Sequence, residues 1–120
     1  MEENRMIKGS LVGTNKEPFI VEFEDTLNNL QAFVGGRIEV LSIKCDEKSY
    51  RSIDLIFNEE YEFLFDEVNR TLIYKNGYVI NVKGNILVVA ADESTGEFVS
   101  LTEEELNYYM TFMLDDKLFI

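Results

Sequence analysis

Residues Asn85 to Ala91 read Asn-Ile-Leu-Val-Val-Ala-Ala, an uncharged stretch rich in Ile and Val in a chain whose formal net charge is −12. Such a stretch fits a central strand buried on both faces, because a half-exposed strand carries polar residues at alternate places. Its apolar part, Ile86 to Ala91, is far shorter than the roughly 20 residues that cross a bilayer. The strand therefore belongs inside a folded domain. With 120 residues, 46% of them hydrophobic, the chain suits one domain over 1–120 and not a disordered tail. No internal repeat, low-complexity tract or linker divides it.

Other elements can be placed around that strand. Met6–Val12 and Phe19–Phe23 read as strands joined through the turn cluster Gly13-Thr14-Asn15-Lys16, an opening hairpin. Glu24-Asp25-Thr26 offers acidic and capping groups to a short helix, with Leu27, Leu30 and Val34 on one face and Gly35 as its stop. Period-two patterning predicts a strand from Ile38 to Ile43 with one face well buried, then a charged loop from Cys45 to Arg51, then a strand through Ile53, Leu55 and Phe57. After the turn Asn58-Glu59-Glu60, Tyr61 to Phe65 reads as a short partner strand. Lys75-Asn76-Gly77 predicts a tight type I′ hairpin between Thr71–Tyr74 and Tyr78–Val82.

The clearest local signal is Leu101-Thr102-Glu103-Glu104-Glu105-Leu106. Thr102 stands at the N-cap and Glu105 at N3, a capping box, with Leu101 and Leu106 at the staple positions. This helix is expected to run to about Leu114, and Asp92 to Glu97 reads as a turn before it. The sum is an α+β domain: a mostly antiparallel sheet of six to eight short strands with two helices, about 26–34 and 103–114, covering one face. The apolar finish Leu118-Phe119-Ile120 is expected to tuck against the core or to form a homodimer contact.

Composition excludes several chemistries. Without a single His, the chain has no serine triad, no cysteine–histidine dyad and few routes to a zinc or iron site. Lone Cys45 cannot form an internal disulfide; it is expected as a buried or half-buried thiol in a reducing cytoplasm, with Lys44 and Lys48 nearby. The acidic start Met1-Glu2-Glu3-Asn4-Arg5 lacks the basic and apolar regions of an export signal. The paired acids lack glycosidase or EF-hand patterning, and Gly35-Gly36 follows a helix, the reverse of a phosphate-binding loop. No metal, no cofactor and no catalytic residue is expected, so the chain is expected not to be an enzyme. With 23 Asp+Glu against 11 Lys+Arg, direct binding to nucleic acid or an anionic membrane is opposed by the field.

Five strings in order carry a resemblance: Glu24-Asp25-Thr26-Leu27-Asn28-Asn29-Leu30-Gln31, Val34-Gly35-Gly36-Arg37-Ile38-Glu39-Val40, Asn58-Glu59-Glu60, Asn69-Arg70, and Gly96-Glu97-Phe98-Val99-Ser100-Leu101-Thr102. Over about residues 6 to 114 the chain resembles the domain-of-unknown-function family 3846. The resemblance implies a phage, prophage or conjugative-element origin and brings no catalytic residues with it.

Two functional expectations follow. The first is a non-enzymatic accessory protein in a bacterial cytoplasm that binds a host defence or transcription protein, as an acidic nucleic-acid mimic, through a surface including Glu103, Glu104, Asp115 and Asp116. The second is a module that sequesters a small molecule or nucleotide signal with Asn58, Glu59, Asn69 and Arg70. Against the second stands a plainer expectation, that Arg70 pairs with Glu59 or Glu60 and that the asparagines hold turns.

Overall fold

A computed structural model describes residues 5–120; Met1 to Asn4, and with them most of the start weighed above as an export signal, lie outside the described residues. The uncharged run forms β7 (Ile86–Asp92), where every residue from Ile86 to Ala91 is buried. It is the hub of the larger sheet. One edge pairs antiparallel with β4 (Arg51–Asn58); the other pairs first with β1 (Met6–Val12) and then with β8 (Glu97–Val99). Outside these lie β2 (Phe19–Glu24), hairpinned to β1, and β3 (Ile38–Asp46), hairpinned to β4, giving the order β2-β1-β7-β4-β3.

Two layers cover this sheet, one on each face. Leu30 and Val34 of α1 (Leu27–Val34) close over Ile7, Ile56, Leu87 and Val89. The opposite face, with Ile53, Leu55, Phe57, Ile86, Val88 and Ala90, is covered by α3 (Glu103–Phe112) and by a second, three-stranded sheet. That sheet joins β5 (Val68–Ile73), β6 (Val79–Lys83) and β9 (Lys117–Phe119) in the order β6-β5-β9. The domain is α+β and mostly antiparallel, as expected. Its two longer helices, however, lie on opposite faces and not on one. Only that arrangement buries both sides of β7.

Among the described residues there are nine strands, and a third helix, α2 (Tyr61–Leu64), replaces the strand expected from Tyr61 to Phe65. Both edges of β4 are already occupied by β3 and β7, so a returning strand had no edge to join. Asn58 instead accepts the Glu60 N–H at 2.8 Å and turns the chain out, and Tyr61 packs edge-on against Phe57. The tail expected to tuck inward does so as β9, which pairs parallel with β5, with Leu118 1% exposed in the core.

Local chemistry explains the helix ends. Thr26 Oγ1 accepts the Asn29 N–H, and Gly35 ends α1 in the left-handed region at φ 81°. The Thr102–Glu105 capping box is complete, although α3 stops at Phe112, short of Leu114. Leu27, expected to face inward, is 58% exposed. The β5–β6 turn has left-handed backbone only at Gly77, not at Asn76, so it is not type I′. Bonds from Gly77 N to Tyr74 O and from Tyr74 N to Tyr78 O close a loop one residue longer. Similarly, Asp92–Gly96 turns β7 into β8 and not directly into the last helix. The strand β3 has no fully buried residue, because it is an edge, and it extends through Cys45 and Asp46.

Candidate functional site

Three polar residues of the family-like strings, Asn58, Asn69 and Arg70, sit inside the fold. Asn58, 1% exposed, donates to the Val34 carbonyl at 3.2 Å and so ties the end of α1 to the end of β4. Asn69, 4% exposed, donates to the carbonyls of Val12 and Gly84 at 2.8 and 2.7 Å. Arg70 is equally buried. Its Nε and Nη2 both reach the Met113 carbonyl, at 2.9 and 2.6 Å, and Nη1 reaches the backbone carbonyl and Oδ1 of Asn69. Burial pushes the Arg70 guanidinium below its usual value, opposed by the charges of Asp116 and Asp115.

These contacts correct the ligand expectation. Asn58, Asn69 and Arg70 are buried and bond backbone carbonyls or one another, so they are not presented to a solute, and the three form two separate ties. Exposed Glu59 does not join them and bonds Arg37 at 2.9 Å, with Glu60 at 3.7 Å from the same guanidinium. The expected pairing of Arg70 with Glu59 or Glu60 is therefore also corrected: the carboxylates took Arg37, and Arg70 became a cap for the C-terminal end of α3.

The expected acidic surface is outward-facing. Glu103, Glu104, Asp115 and Asp116 are all exposed. They flank α3, the first two at its start and the second two beyond its end, with about 15 Å of helix between them. In the tail, Leu118 is taken up by its own core, which leaves Phe119, 71% exposed, as the residue a second copy would meet. Cys45 is exposed and not buried as expected, since it stands on an edge strand. Desolvation, a hydrogen bond with Glu93 and the charges of Glu93, Asp54 and Glu47 push its thiol up, despite the neighbouring Lys44 and Lys48.

A cleft of about 390 Å³ opens between the β3–β4 hairpin and α3. Lys44, Asp46, Ser49, Arg51 and Ile53 come from the hairpin side, and Glu104, Glu105, Tyr108 and Tyr109 from the helix. Arg51 grips Glu105 through two bonds, Nε to Oε2 at 2.9 Å and Nη2 to Oε1 at 2.5 Å, and donates to the Ser100 carbonyl at 2.7 Å. Glu105 Oε1 also accepts the Thr102 N–H at 2.8 Å. One carboxylate thus completes the capping box and pins α3 to β4. The bond from Arg51 holds the Glu105 carboxyl below the usual carboxylate range against the opposing effect of burial.

Aromatic rings line the helix side. Tyr108 lies edge-to-face with Tyr109 at 4.8 Å and stacks on Phe112 at 5.9 Å. Burial, with the neighbouring Tyr108 and Glu105, pushes the Tyr109 hydroxyl up to about 12, so it stays a neutral phenol at pH 7. Sequence reasoning did not assemble this cleft. Glu105 was visible there only as the N3 residue of a cap, and its partner lies 54 positions away, beyond any local pattern.

Among the described residues no group of three or more His, Cys, Asp or Glu is placed to hold a metal, and no helix is long and apolar enough to cross a membrane. Neither a curated protein nor a solved structure matches the chain. A family model does, the one described as Domain of unknown function (DUF3846), over residues 7–113. That span takes in α1, the buried asparagine and arginine ties, the cleft and the capped helix, so the chain belongs to the DUF3846 family.

Proposed function

We propose that this is a non-enzymatic accessory protein of a phage or other mobile element that acts in the bacterial cytoplasm. It binds a host defence or transcription protein through that partner's basic, nucleic-acid-binding surface. The observation that carries the reading is the placement of charge. Among residues 5–120, every Asp and Glu except Asp25, Asp54, Asp92 and Glu105 is exposed. Two of the four arginines, Arg51 and Arg70, are meanwhile drawn into internal bonds. With nearly all carboxylates outside and the Arg70 cation buried, the surface field is more negative than composition alone requires.

Such a surface competes for a phosphate-binding groove by the same electrostatics that hold the nucleic acid. The pairs Glu103–Glu104 and Asp115–Asp116 are separated by about 15 Å of helix, comparable with the axial rise of roughly four base pairs of DNA. The test is a salt titration of binding to a basic protein recovered from host lysate. Affinity should fall at least about tenfold between 50 and 200 mM salt. Replacing Glu103, Glu104, Asp115 and Asp116 together by their amides should weaken binding by a similar factor. Binding that is indifferent to salt and to these four substitutions would exclude the mimic.

A further inference from the structure

The cleft between the β3–β4 hairpin and α3 keeps binding capacity that the fold does not use. Tyr109 is 5% exposed, and its hydroxyl bonds no protein group among the described residues. No fully enclosed side-chain polar atom there lacks a partner, so this hydroxyl is reached from the cleft that Tyr109 lines. Beside it Tyr108, 60% exposed, supplies an aromatic wall. A buried neutral phenol next to an accessible ring can both accept a hydrogen bond and stack a planar group.

Charge decides which planar group. Arg51 and Glu105 cancel within their own pair. What remains is the carboxylates of Asp46 and Glu104 against the ammonium of Lys44, and among the described residues none of the three enters an ion pair. An anion would approach against this residual charge and against the whole chain at −12. A cation is drawn in. Between the two protein cations, a guanidinium matches better than an ammonium: it is flat, it stacks on tyrosine, and its forked donors reach two carboxylates and a phenol oxygen together.

We propose that this cleft is the anchor pocket for one arginine side chain of the partner's basic surface, stacked on Tyr108 and bonded to Glu104, Asp46 and the Tyr109 hydroxyl. The inference rests on the reading of an acidic, partner-binding protein and adds to it a point of specificity. Diffuse charge treats lysine and arginine alike; a stacked, forked site does not.

The experiment compares two short peptides of equal charge, one built on arginine and one on lysine, by calorimetry and by amide chemical-shift mapping on the full chain. The arginine peptide should bind at least about fivefold tighter, with shifts centred on residues 44–53 and 104–109. Tyr108→Leu should abolish the preference for arginine, and Glu104→Gln should weaken binding more than Asp115→Asn, which removes the same charge outside the cleft. Both cleft substitutions are at exposed positions, and thermal unfolding checks that the fold is kept. Equal affinity for the two peptides, or equal losses from Glu104→Gln and Asp115→Asn, would overturn the pocket while leaving the acidic-surface reading intact. Failure of both peptides to bind would remove both readings. A nucleoside monophosphate that shifts the cleft residues when the arginine peptide does not would overturn the proposal in favour of an anion site.

Discussion

Arg70 and Arg51 meet the same acidic chain with opposite results. Arg70 is 4% exposed and wrapped by carbonyl groups from Asn69 and Met113. Arg51 holds Glu105 in a bidentate pair at the rim of a cleft, its side chain 27% exposed. The first joins β5 to the end of α3 and spends four of its five N–H donors inside the fold; the second joins β4 to the start of α3 and frames a space with an unbonded phenol beside it. A scarce arginine among acids is therefore not evidence of a site in itself. What distinguishes the two regions is whether hydrogen-bonding capacity remains after the fold has been held together.

The largest effect should separate them by stability. Arg70→Met leaves the Met113 carbonyl and the Asn69 side chain without their charged partner in a buried place. It should cost about 3 kcal/mol, a large share of what a domain of this size has. Arg51→Met, at a partly solvated pair, should cost about 1 kcal/mol. Urea unfolding at constant slope measures both. Arginine-peptide binding to folded Arg70→Met should be unchanged, since that residue does not face the cleft. If the two substitutions cost the same, the distinction between a tie and a rim pair fails.

The second effect is a pH dependence confined to the rim. The Glu105 carboxyl is held below its unfolded value, first by the bond from Arg51. Its contribution is therefore fully present above the unfolded carboxylate pKa, about 4.3, and is lost as pH falls through the lower folded value. Glu105→Gln should be less stable than the parent at pH 7, and the gap should narrow on acidification below about pH 4. Asp92, held low chiefly by its bonds from Ser94, keeps some acid sensitivity in the variant. A gap that stays constant from pH 7 to pH 3 would mean that the Arg51–Glu105 pair contributes nothing to folding.

These two regions also mark what the sequence makes legible. The cap at Thr102–Glu105, the Gly35 stop, the opening hairpin and the buried β7 were all readable, because each depends on residues within a few positions of one another. The same locality explains the failures. Tyr61 to Phe65 has strand-like residues, but the edges of β4 were taken by β3 and β7, strands assembled from distant parts of the chain. Placing α1 and α3 on opposite faces required knowing that β7 alternates between two cores. Asn69 and Arg70 could be singled out as polar residues in a family-like string, while their partners Val12, Gly84 and Met113 could not. The cleft joins residues 44–53 to 104–109 and has no local signature at all.

The smallest effect probes the sign of the cleft. Lys44 is the unpaired cation on its lining, which it shares with Asp46 and Glu104. If an arginine enters there, Lys44 repels it, and Lys44→Gln should tighten the arginine peptide by about twofold at low salt, with the gain fading near 0.15 M as exposed charges are screened. If the cleft instead holds an anionic group, Lys44 is an attractive contact and the same substitution should weaken binding. The lysine is exposed on an edge strand and bonds nothing that the fold needs, so stability should not move in either case. The direction of so small a change, read at two salt concentrations, is enough to decide between a cation pocket and an anion pocket, because the two assign opposite signs to one charge.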